Sequence, residues 1–250
     1  MIFPDAPALV AAILAIYLIA GFVKGALGFG LPVVAVTVLP FLIPVETALA
    51  LNALVIMTTN LQQIFQAGAT RDGLVAGWPM MLGMALMVPV GALFTVGIST
   101  AALMTILGSF VLLFVISSFF NPALRVPRGW ERRIGFGMGL ASGFVGALTS
   151  SPGPIFVMYV VSLHLPRPVY MAALGSIMTL FGLVVTASYI SVGVLRWEHM
   201  ATGVLATVPA FLGMWLGNAA GKKLGVEAFR RIVLVLLGIL AALMIRRALT

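Results

Sequence analysis

The 250-residue sequence contains no cysteine, which excludes disulfides, thiolate metal sites and cysteine nucleophiles. Charge is nearly as scarce: Asp, Glu, Lys and Arg make up 8% of the chain, against roughly a quarter in soluble domains. A water-facing surface cannot be built from so few. No Gly-rich loop is followed by Lys and Ser/Thr, so ATP binding has no support. The two histidines, His164 and His199, fall in different loops, and Glu46, Asp72 and Glu198 are scattered near expected helix ends. That spacing offers no zinc or iron ligand set, and no cofactor is expected.

Apolar residues are abundant, at 62%. They recur in runs of about 20 residues, the length that crosses a hydrocarbon core as a helix. The bilayer is therefore the expected solvent. The formal charge of +8 comes from short clusters between apolar runs: Arg125, Arg128, Arg132 and Arg133, then Lys222 and Lys223, then Arg246 and Arg247. This is the positive-inside pattern of membrane loops. No basic groove interleaved with aromatics is present, so nucleic acid is not an expected partner. Met1 to Leu9 lacks the basic start of a cleaved signal, and the first apolar run is read as a retained membrane helix.

Breaks at Pro, Gly and charge divide residues 1–120 into stretches near 6–27, 28–43, 45–66, 74–97 and 101–120. After a polar linker, 121–133, the order restarts at 134–151, 152–164, 168–193, 199–220 and 226–247. Each half has two short stretches and then three long ones. Gly21, Gly25 and Gly28 recur 118 positions later as Gly139, Gly143 and Gly146, and Gly68 and Arg71 recur as Gly193 and Arg196. The sequence thus predicts an all-α polytopic membrane protein of two homologous halves, 1–120 and 134–250, with eight to ten membrane segments. If both short stretches of each half cross, ten basic residues share the linker's side and three, Arg196, Arg246 and Arg247, lie opposite. That division favours inverted repeats with the linker cytoplasmic.

Each half opens with a Gly-rich or small-residue segment that ends in proline: Gly25 to Pro32, and Thr149-Ser150-Ser151-Pro152-Gly153-Pro154. Proline lacks a donor and clashes with the preceding turn, so helices break here or restart at Pro32 and Pro152. A restarting helix presents free N–H groups and the positive end of its dipole within the membrane. Glycine and proline also occur in membrane helices for packing alone. Their appearance at the same place in both halves favours a binding role for Gly28, Gly30, Pro32, Pro152 and Gly153.

Lys24 is the one charge well inside an apolar run. It either serves as counter-ion for a bound anion or snorkels from the end of the first helix. Thr149, Ser150 and Ser151 at the second break, and Asn52 and Asn60 after the first, are candidate donors to an oxyanion. Ser and Thr in membrane helices more often bond their own backbone.

The Gly28 to Pro32 segment, the helix through Ala50 and Asn52, the Gly68 turn and the opening from Gly139 to Pro154 together resemble the TauE/SafE sulfite-exporter family. The resemblance covers nearly the whole chain. It departs in the second opening, where the family usually has a further glycine before the proline and this chain has Ser150 and Ser151. It implies a small bacterial permease that exports or takes up sulfite, sulfonates or other small organosulfur anions; the expectation is a multi-pass inner-membrane transporter working by alternating access around the two breaks, not an enzyme. A homo-oligomer is compatible with it. An anion channel lacks a filter-like backbone repeat, and an intramembrane hydrolase would need a base beside the buried serines. A structural subunit of a membrane complex is the third alternative.

Overall fold

The computed structural model describes residues 6–28, 30–67, 70–120, 127, 129–221 and 226–249. Ten α-helices follow one another in them: α1 (Pro7–Leu27), α2 (Leu31–Val38), α3 (Val45–Ala67), α4 (Thr70–Gly97), α5 (Thr100–Phe120), α6 (Glu131–Thr149), α7 (Gly153–Ser162), α8 (Arg167–Ser191), α9 (Trp197–Gly221) and α10 (Val226–Leu249). A 3-10 turn, Leu39–Phe41, extends α2. No strand occurs among the described residues. Six helices, α1, α4, α5, α8, α9 and α10, are long and apolar enough to cross a membrane. The segments Leu31–Phe41 and Val45–Leu61 are shorter apolar helices.

The helix ends follow the punctuation in the sequence. Pro7 starts α1, where its missing N–H costs nothing. Gly28 ends it at φ 82°, a left-handed conformation that glycine adopts without a Cβ clash, and its N–H caps Lys24 O at 2.7 Å. Gly30, at φ 108°, opens α2, and Pro32 sits in its first turn. In the second half Ser150 takes the left-handed position, at φ 47°.

Three expectations shift. The restarts fall at Leu31 and Gly153 rather than at the prolines. Gly146 is not the counterpart of the capping Gly28: α6 runs one turn further, to Thr149, so Ser150 holds that place. Arg132 and Arg133 belong to the first turn of α6, not to a linker loop. Gly68, Lys222, Lys223 and residues 121–126 lie outside the described residues.

The packing order is interleaved. α1 lies against α9 and α4 against α6, α3 and α8 pack on each other, α5 pairs with α10, and α3 and α4 also touch α9 and α8 respectively. Two seams are sealed by glycine. A Cβ at Gly21 or Gly25 would strike the carbonyls of Ala210 and Met214 on α9, and one at Gly213 would strike Leu18 O on α1. On the other seam a Cβ at Gly139 meets Met80 O, one at Gly143 meets the Met84 backbone, and one at Gly83 meets Phe136 O. Such contacts let backbones approach where lipid supplies no hydrophobic driving force between helices.

The exterior is apolar. On α4, Leu82, Leu86 and Leu93 are exposed, and on α9 and α10 so are Val208, Trp215, Ile232 and Ile239. Of the most apolar window of α8, 67% is buried, against 22% for α10. α8 is thus central, while α10 lies at the periphery.

Candidate functional site

Because Gly28 turns the chain straight into α2, the last turn of α1 ends inside the protein and not at its edge. Lys24 sits on that turn and is only 5% exposed. It does not snorkel. Its ammonium donates to Asn60 Oδ1 at 2.7 Å and to Thr59 Oγ1 at 3.2 Å. Both acceptors are oriented by their own helix: Asn60 Nδ2 donates to Ile56 O at 2.8 Å, and the Thr59 hydroxyl donates to Val55 O at 2.7 Å. Neither carries charge. Among the described residues no carboxylate lies within ion-pair distance of Lys24.

Lys24 and Asn60 open on a cavity of about 120 Å³. One water needs roughly 10–15 Å³ on this scale, so the space suits a small molecule of several heavy atoms. Gly28, Gly30 and Pro32 from the first break form one side, and Ser151 and Pro152 from the second form another. The two breaks therefore border the same space. Most of the remaining wall is apolar, from Phe114 on α5, Phe156 and Val157 on α7, and Met171, Leu174 and Met178 on α8. Tyr170 also contributes.

Seven of the eleven candidate residues thus line one cavity: Lys24, Gly28, Gly30, Pro32, Asn60, Ser151 and Pro152. Asn52, Thr149 and Ser150 are fully buried but serve the backbone of the second break. Asn52 Nδ2 donates to Ser150 O at 2.8 Å, while the Ser150 hydroxyl donates back to Leu49 O at 3.0 Å. The Thr149 hydroxyl is shared between Val145 O and Ser151 O, both at 2.8 Å. Gly153 is the first residue of α7. The break exposes carbonyls where a buried acceptor without a partner is costly. Ser142 Oγ completes the set on Pro152 O at 2.9 Å, and the Tyr189 hydroxyl donates to Ala147 O. The Ser151 hydroxyl, by contrast, has no partner among the described residues.

Sequence reasoning missed Thr59, which is adjacent to Asn60 and could have been found by asking which neighbours turn toward Lys24. It also missed the apolar wall. Phe114, Phe156 and Leu174 come from three separate helices and carry no local signal.

A buried ammonium with no carboxylate partner among the described residues therefore lies beside two interrupted helices, in a bundle whose outer face is apolar. Over residues 13–244 the chain matches the family model described as Sulfite exporter TauE/SafE. It belongs to the TauE/SafE sulfite exporter family, and that membership implies a membrane transporter of sulfite or a related anion. No curated protein and no solved structure matches the chain.

Proposed function

We propose that the chain is a permease of a bacterial inner membrane that moves sulfite or an organosulfur anion by alternating access, with the anion held between the two helix breaks. The observation that carries this reading is Lys24. Burying an ammonium costs several kcal/mol unless it is paired or functional, and here its partners among the described residues are the neutral oxygens of Asn60 and Thr59. A bound anion supplies the missing charge. Ser151 adds a hydroxyl, and the first turns of α2 and α7 add N–H groups at the positive ends of two helix dipoles.

The same reading takes the two halves as inverted repeats. Supporting it, the seam contacts exchange between halves. Gly21 and Gly139 are related by 118 positions, and so are Leu18 and Phe136, while their partners Ala210 and Met80, and Gly213 and Gly83, are each related by 130. Gly21 meets Ala210 as Gly139 meets Met80, and Gly213 meets Leu18 as Gly83 meets Phe136. Such an exchange is what a two-fold relation between the halves requires, and with the axis in the membrane plane a site between them would face either side in turn.

The test is uptake of radiolabelled sulfite and sulfonates into liposomes holding the purified protein, comparing the parent with Lys24→Met. Methionine keeps length and apolar bulk. Transport by the parent and its loss in the variant, at equal folded protein, is the expected result. Equal transport by both overturns the role given to Lys24.

A further inference from the structure

We infer that the cavity selects a singly charged anion bearing a short, uncharged apolar substituent, and discriminates against doubly charged oxyanions and zwitterions. This rests on the anion-site reading above and specifies the solute that such a site admits.

The wall carries few polar groups. Lys24 and Asn60 meet at 2.7 Å, Ser151 lies at the second break, and Phe114, Phe156, Leu174 and Met178 form much of the rest. A headgroup at Lys24 therefore leaves any substituent against hydrocarbon. Among the described residues Lys24 is the one cationic side chain in the wall, and the other polar groups there are neutral. A dianion leaves one charge uncompensated there, and the Born cost of dehydration rises with the square of the charge. Inorganic sulfate meets both penalties. A monoanion of the same headgroup meets neither.

The charge of a substituent is discriminated by what the wall lacks. No aspartate or glutamate lines the cavity among the described residues. Glu46, Asp72, Glu131 and Glu198 lie in the first turns of α3, α4, α6 and α9, and none of them lines the cavity. An amino group carried in with the anion gives up its water for apolar side chains and finds no counter-charge. 1-Propanesulfonate and taurine have nearly the same size and the same headgroup. They differ in whether the far end is a methyl or an ammonium.

The experiment is calorimetric titration of the purified full chain in detergent, repeated on Lys24→Met. The probes are methanesulfonate, ethanesulfonate, 1-propanesulfonate, taurine, sulfate and sulfite. Burial of each added methylene should tighten binding by about fourfold. Taurine should bind about tenfold or more weaker than 1-propanesulfonate, and sulfate likewise. The Lys24→Met protein should lose the whole series. If sulfate or taurine binds as tightly as 1-propanesulfonate, and the binding vanishes in Lys24→Met, the selectivity is overturned while the anion site stands. If no probe binds, or binding survives in Lys24→Met, the site assignment fails and the selectivity fails with it.

Discussion

Lys24 and Asn60, 36 residues apart, meet at 2.7 Å, the ammonium of one donating to the amide oxygen of the other. The amide nitrogen of Asn60 is held by Ile56 O, so the oxygen has no freedom to turn away. A neutral acceptor steadies the cation without cancelling it. A carboxylate in that place would do both.

Asn60→Asp therefore separates position from charge. The substituted side chain is isosteric and lies within ion-pair distance of Lys24, so the protein should fold as well as the parent. An opposite charge this close occupies the ammonium, and anion affinity should fall by about tenfold or more. Calorimetry reads the affinity and thermal unfolding reads the fold. Parent-like binding by this variant would show that Lys24 does not provide the counter-charge.

Adjacent serines should behave differently. Ser151→Ala removes a hydroxyl at the cavity wall, and a hydrogen bond to a charged ligand is worth about 1.5–3 kcal/mol, so affinity should drop about tenfold with little change in melting temperature. Ser150→Ala instead removes the bond to Leu49 O and places alanine at φ 47°. It should cost about 1–3 kcal/mol of stability and leave affinity within a few-fold of the parent. Equal affinity losses at both positions would contradict the separation.

Gly139 and Gly137, two positions apart on α6, offer an internal control. A Cβ at Gly139 runs into the carbonyl of Met80, whereas at Gly137 nothing lies within 4 Å. Gly139→Ala should sharply reduce the yield of folded protein, because backbone must move. Gly137→Ala should match the parent, or exceed it by up to about 1 kcal/mol from the helix preference of alanine. Size-exclusion profiles of the detergent-extracted proteins distinguish the two.

Orientation is open to a reporter assay. If both short stretches of each half cross, the ten-to-three division of basic residues predicts the segment 121–133 in the cytoplasm and the end after Arg247 on the opposite face. A reporter fused after Arg247 that is active only in the cytoplasm would reject the inverted arrangement.

Much of the helix plan was legible because proline, glycine and charge punctuate an otherwise uniform apolar chain. All ten apolar stretches correspond to helices, with ends within a few residues. What was not legible is which residue caps α6: Gly146 repeats the spacing of Gly28 but lies inside the helix, and the left-handed position falls to Ser150. The site was half legible. Lys24 and the two breaks stood out as costs that a membrane protein does not bear idly. Which polar side chain faces the cavity depends on rotation about a helix axis: Asn52 and Asn60 share α3, yet one serves the second break and the other serves Lys24. Hydropathy does not encode that rotation.

The two glycine seams also govern how the protein can be made. α1 has its flush-fitting partner in α9 and α4 has its in α6, so a nascent chain that has emerged only as far as Phe120 holds both helices with their bare glycine faces against lipid. Neither face can be covered by anything already synthesised. The first half must wait in the bilayer, loosely associated, until translation delivers α6 and then α9. A ribosome stall or truncation between the halves should leave a species recognised by membrane quality control, not half a transporter.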